Sequence, residues 1–145
     1  MMILLQESAV LENTWALVVE DDALDLIALT RLLQELRVQF KRNTTGKDVA
    51  LKARQMQPLP DVILLDMDLP DASTFDICDA IRSDDLLAAI PVVALGDAKW
   101  IAHEPNLKVS GFAGFICKPL PRKQFGQLLQ EILNGKPVWS RDCRG

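Results

Sequence analysis

Cysteine is scarce in this 145-residue chain, and its three copies, Cys78, Cys117 and Cys143, stand at no CxxC spacing. An odd number without metal-ligand spacing argues against a disulfide framework and against a zinc site, and for a reducing compartment. Basic charge is in deficit. Sixteen Lys and Arg against twenty Asp and Glu leave a net charge of −4, so no positive field gathers phosphodiesters and direct nucleic-acid binding is not expected. No run approaches the ~18 apolar residues of a membrane span. The opening MMILL has no basic flank and is too short for a secretory hydrophobic region. A cytoplasmic protein without a membrane partner is expected. Histidine occurs once, as His103, in a segment of weak helical pattern.

What is present describes one compact α/β domain. Composition is 49% apolar and 25% charged, which excludes disorder, collagen and coiled coil as whole-chain readings. Such a length suits a single domain. Residues 14–136 are expected to form it, with a loose leading segment at 1–13 and a C-terminal tail at 137–145.

Apolar runs and amphipathic stripes alternate. The run at 15–19 reads as a buried strand that surfaces at Glu20-Asp21-Asp22. Leu29, Leu32, Leu33 and Leu36 then recur at helical spacing. Residues 38–40 alternate as a second strand. Thr45, with Asp48 three residues later, predicts a helix start, and Pro58 and Pro60 stop that helix. The run at 62–65 is a third strand leading into Asp66-Met67-Asp68-Leu69-Pro70. Ser73 with Asp76 predicts the next helix start, with Ile77, Ala80 and Ile81 on one face. Strands are expected at 91–95 and 112–117, separated by a short helix from Ala98 that Pro105 interrupts. Phe125, Leu128, Leu129, Ile132 and Leu133 give the last helical stripe. Five strands alternating with helices predict an open, doubly wound parallel sheet covered on both faces.

In such sheets ligands bind beyond the carboxyl ends of the strands. Three predicted strand ends deliver Glu20 and Asp21, Asp66, and Lys118. If strands one and three are neighbours, three carboxylates crowd together and raise each other's pKa unless a cation intervenes. All-oxygen donors with room for water suit Mg²⁺. A carboxylate flanked by metal and lysine is equipped to attack phosphorus, in a transfer that needs positioning and charge neutralisation more than proton movement.

Over roughly residues 15–134 the chain resembles a response-regulator receiver domain of two-component signalling. The matching motifs are VVEDD at 18–22, ILLDMDLPD at 63–71, IPVVAL at 90–95 and KP at 118–119. The resemblance implies a flavodoxin-like five-stranded sheet of order 2-1-3-4-5. It implies that Asp66 accepts a phosphoryl group from a histidine kinase or phosphotransfer protein, and that output passes to a downstream protein by contact. It implies Mg²⁺ on Asp21, Asp66 and the backbone carbonyl of Asp68, with Glu20 holding a metal water. It also implies Lys118 on the phosphoryl group, a Lys118-Pro119 peptide that is often cis, and a non-enzymatic signalling role.

Four positions depart from the family pattern. The switch hydroxyl that normally ends strand four is replaced by Gly96, so a charge-assisted hydrogen bond of roughly 1.5–3 kcal/mol is missing. Asp97 follows where a small residue is usual. The switch aromatic of strand five is Phe115, which has no hydroxyl, and Thr74 stands where a glycine is usual. The machinery for forming an aspartyl phosphate is complete, whereas the machinery for reporting it is damaged. A degenerate receiver that binds partners independently of phosphorylation is therefore the alternative. A further alternative is a phosphatase of the haloacid-dehalogenase type, whose DxD motif LLDMD at 64–68 resembles. Against it, that motif normally opens the chain, Pro70 stands where Thr or Val belongs, and only 79 residues follow Asp66.

Overall fold

The computed structural model describes residues 11–143. Its elements run β1 (Trp15–Val19), α1 (Ala23–Glu35), β2 (Gln39–Asn43), α2 (Val49–Gln55), β3 (Val62–Asp66), α3 (Thr74–Arg82) and β4 (Val92–Gly96). A 3-10 helix (Ala98–His103) leads into α4 (Glu104–Val109), followed by β5 (Gly114–Cys117), α5 (Phe125–Leu133) and β6 (Val138–Trp139). All strand pairs are parallel, in the order β2-β1-β3-β4-β5-β6.

The sheet divides the core by residue parity. Leu17, Val19, Ile63, Leu65, Ala94 and Phe115 face one apolar cluster, which α2, α3 and α4 cover with Ala53, Ile77, Ile81 and Leu107. Ala16, Val18, Leu64, Val93, Leu95 and Ile116 face the other, which α1 and α5 cover with Leu29, Leu33, Phe125 and Leu129. Successive strand residues point to opposite faces, so β3 and β4, covered on both sides, are apolar up to the Asp66 that ends β3. Every residue of both is buried. Edge strand β2 carries Lys41 and Arg42 and is mostly exposed, a composition that discourages pairing with another chain.

The expected doubly wound parallel fold is present with one strand more than five. The sixth comes from Val138–Trp139, in the segment read from the sequence as tail, and lies against Gly114 and Phe115. A two-residue strand carries no periodicity of its own. Gly114 leaves room for it, because a Cβ there would lie 2.6 Å from the Val138 carbonyl oxygen. Of the leading segment, residues 1–10 lie outside the described residues, while Leu11 is buried in the α1/α5 cluster.

Three local expectations are corrected. The second helix starts at Val49 rather than Thr45, because Gly46 packs against Ala72 and donates its N–H to the Asp71 carboxylate, holding residues 45–48 as a turn. Asp48 there has φ +57° and makes no side-chain cap. Pro105 does not break its helix but sits in the first turn of α4, where a missing N–H costs nothing. Cys117 and Cys143 form a disulfide, contrary to the expectation of no disulfide and a reducing compartment. The pairing depends on β6 carrying the chain back alongside β5, which cysteine spacing does not reveal. Cys78 is buried and free, and burial pushes its thiol up to about 11, leaving it inert. The Ser73 cap is as expected, its hydroxyl accepting from the Asp76 N–H. Among the described residues no helix is long and apolar enough to cross a membrane.

The disulfide closes a loop of 26 residues in sequence separation, which in the chain-entropy account stabilises by about 3 kcal/mol. Cys143→Ser is expected to lower unfolding free energy by about that amount in denaturant melts under oxidising conditions. Dithiothreitol should remove the difference; equal oxidised stabilities would show that the bond does not brace the fold.

Candidate functional site

All six strands being parallel, their carboxyl ends share one rim, and the charged residues that leave them meet there. Glu20 follows β1, Asp66 ends β3, Gly96 ends β4 and Lys118 follows β5. The Lys118 ammonium donates to Glu20 Oε1 at 2.8 Å, to Asp25 Oδ2 at 2.9 Å and to Asp66 Oδ1 at 3.0 Å. Glu20 and Asp66 are almost wholly buried, at 1% and 2% exposure. Asp21 is exposed, and carboxylate oxygens of Glu20, Asp21 and Asp66 lie within 4.8 Å of one another. The residues expected to converge do so.

Local structure holds each group in place. Asp22 caps α1, accepting from the Asp25 N–H at 3.0 Å, and its own N–H donates to Glu20 Oε2 at 3.3 Å. Asp68 donates its N–H to Asp66 Oδ1 at 3.3 Å, folding the loop after β3 back onto the carboxylate. The Asp68 carboxylate turns outward, pairs with Lys99 at 3.1 Å and accepts from the Trp100 indole N–H at 3.3 Å. Asp97 lines the site and also caps the 3-10 helix, accepting from the Lys99 N–H. The Lys118-Pro119 peptide is cis, as is Gln57-Pro58.

A cleft of about 500 Å³ opens at this rim, lined by Asp21, Asp22, Asp25, Asp66, Asp68, Asp97, Lys118 and Pro119. Six aspartates against one lysine leave a strong negative excess. Burial, and then the neighbouring Asp66, raise Glu20 to about 7, against the pull of Lys118. Desolvation and then Asp66 raise Asp21 as well. Burial alone would lower Lys118, but its bonds to Glu20, Asp25 and Asp66 outweigh that and hold it above the usual lysine range. Carboxylates that resist joint ionisation, with oxygen donors only and an open side, fit a hard divalent cation.

Sequence reasoning missed Asp25. The signal was available, since Asp25 stands one helical turn beyond Asp21 and completes a capping pattern with Asp22. The clasp of Lys99 and Trp100 on Asp68 has no sequence signature. Phe115 is 3% exposed and lies beneath the helical layer, with Trp139 as its register partner on β6.

The sequence model of the family described as Response regulator receiver domain matches residues 16–130. The polar-differentiation response regulator DivK of Brucella anthropi is 26% identical over 117 residues, covering 81% of this chain and 94% of DivK. The high-resolution structure of the Vibrio cholerae chemotaxis response regulator CheY4 superposes with a TM-score of 0.73 at 21% identity, covering 82% of this chain and 98% of that one. The receiver domain of a Pseudomonas aeruginosa sensor histidine kinase, which has a magnesium ion coordinated in its active-site cleft, gives 0.73 at 21% identity over 83% of this chain and 98% of its own.

Because folding raises the Glu20 pKa from 4.5 to about 7, its protonated form favours the folded state. That contribution is complete below pH 4.5 and is lost as pH rises through about 7. Urea unfolding without divalent cation should show wild type losing stability relative to Glu20→Gln between about pH 5 and pH 8. Parallel pH profiles for the two proteins would refute the assignment.

Proposed function

Since this chain belongs to the response regulator receiver domain family, with residues 16–130 matched, we propose that its receiver domain is a phosphoacceptor with Asp66 as the acceptor. The observation that supports this best is the Lys118 ammonium, 3.0 Å from an Asp66 oxygen and 2.8 Å from Glu20, inside an acidic cleft. The donor is a phosphohistidine on a sensor histidine kinase or phosphotransfer protein. One Asp66 oxygen attacks phosphorus, the phosphorus–nitrogen bond breaks, and the imidazole leaves with a proton from solvent. The product is an aspartyl phosphate, and output passes to a downstream protein by contact.

Asp21, Asp66, the Asp68 backbone carbonyl and, through water, Glu20 would hold Mg²⁺, which when bound neutralises charge on the transferring phosphoryl oxygens. Lys118 supplies the second positive centre, already directed at Asp66, and its raised pKa keeps it charged at any physiological pH. Gly96 and Phe115 stand at the positions of the family's switch pair. Gly96 has no hydroxyl to bond a phosphoryl oxygen, which favours a second reading: a receiver whose partner binding does not follow phosphorylation. The phosphatase alternative needs the Asp68 carboxyl free to act as general acid, and Lys99 and Trp100 already engage it.

Incubation with acetyl phosphate and Mg²⁺ is expected to add one phosphoryl group by intact mass. Chelation of the metal or Asp66→Asn should abolish the adduct. An unmodified wild-type protein, or an adduct that survives in Asp66→Asn, would end the phosphoacceptor reading.

A further inference from the structure

The side chain absent at Gly96 leaves no empty space, because Trp100 occupies it. A Cβ built on Gly96 would lie 2.7 Å from Trp100 Cδ1 and 3.2 Å from its Cγ. Glycine at 96 and tryptophan at 100 are therefore a matched pair, the indole edge standing where a Ser or Thr side chain would begin. The same edge of the indole is also held by a hydrogen bond. Its Nε1–H donates to Asp68 Oδ1 at 3.3 Å, and the Phe75 ring lies 6.5 Å away, centroid to centroid.

Asp68 connects this indole to the acceptor carboxylate. Its backbone N–H donates to Asp66 Oδ1, and its own carboxylate carries both the Trp100 N–H and the Lys99 ammonium. Two hydrogen bonds thus separate Asp66 from Trp100. Phe115, by contrast, is 3% exposed and has β6 alongside it, with Trp139 as its register partner.

We propose that Trp100, set over Gly96 and held by Asp68, is the residue through which this chain reports phosphorylation of Asp66, replacing the hydroxyl and aromatic pair of its family. The proposal rests on the phosphoacceptor reading. A phosphoryl group brings close to two negative charges at neutral pH beside the Asp68 carboxylate. Lys99, which now pairs with that carboxylate, has phosphoryl oxygens as a competing partner. Loss of Lys99 and repulsion from the new anion weaken the Asp68 hold on the indole, and Trp100 is freed to leave Gly96. The contacts differ between the two states, which is what any shift of equilibrium requires. The surface that changes is the 3-10 helix and the start of α4, where a partner would read it.

The chain holds three tryptophans, Trp15, Trp100 and Trp139, so 5-fluorotryptophan labelling gives three ¹⁹F resonances, with Trp100 assigned by its loss in Trp100→Phe. Full-length protein is treated with Mg²⁺ and acetyl phosphate, and intact mass is read on the same sample. The Trp100 resonance should move in proportion to the phosphorylated fraction while Trp15 and Trp139 stay in place. Asp68→Ala, which removes the acceptor of the indole N–H, should displace the resting Trp100 resonance towards the phosphorylated position before any phosphate is added. An adduct with Trp100 unmoved, or with Trp139 moving instead, overturns this proposal alone. A resting Trp100 signal unchanged by Asp68→Ala also overturns it. Absence of an adduct removes the phosphoacceptor reading and this proposal together.

Discussion

Lys118 reaches three carboxylates that the chain separates by 98, 93 and 52 residues, and the rim of the molecule is organised around that one ammonium group. A charge that is 16% exposed is tolerable only when paired, and Glu20 and Asp66, more deeply buried still, depend on Lys118 in turn. One cation does not balance them. The remainder of the negative charge appears as the raised pKa of Glu20 and as an acidic cleft whose oxygen donors fit a further cation. Repulsion among the carboxylates thus stores at the rim the free energy that a metal, and then a phosphoryl group with its metal, would relieve.

Rigid strands make this arrangement possible. The central strands are buried on both faces, and their parallel register brings the ends of β1, β3 and β5 out at one rim, where the long Lys118 side chain reaches Glu20 and Asp66. On either side of β5 the chain departs from a plain five-stranded receiver. At β4 a glycine admits an indole over the strand end. Beyond β5 a two-residue strand and the Cys117–Cys143 bond tie the end of the chain to the sheet, leaving Phe115 covered. Both changes act on the elements that flank Asp66, and neither alters that carboxylate or its bond to Lys118.

The parts of this architecture that were legible in the sequence are those with strong local signals. Apolar runs ending in acid, as at Val19–Glu20 and Leu65–Asp66, disclose both a buried strand and a functional rim. The Ser73 cap and the stripe from Phe125 to Leu133 are equally plain. Where a signal is ambiguous, tertiary contacts decide the outcome. Thr45 and Asp48 match a helix-start pattern, yet Asp71 holds Gly46 in a turn. Pro105 reads as a breaker but falls in a first turn. Asp25, the Asp68–Trp100 bond and the disulfide are pairings between distant segments, visible only once the sheet brings them together. Gly96 reads from sequence as a simple loss, and the structure gives it a partner.

The proposed function requires Asp66, Glu20, Asp21 and Lys118 to act together as one metal-dependent phosphoryl site. Beryllofluoride, a phosphoryl mimic with its own ¹⁹F signal, tests it without relying on turnover. With Mg²⁺ present, wild-type protein should give bound beryllofluoride resonances distinct from the free ion, and Asp66→Asn should give none. Bound resonances that persist in Asp66→Asn, or that form equally well after the metal is chelated, would contradict the account.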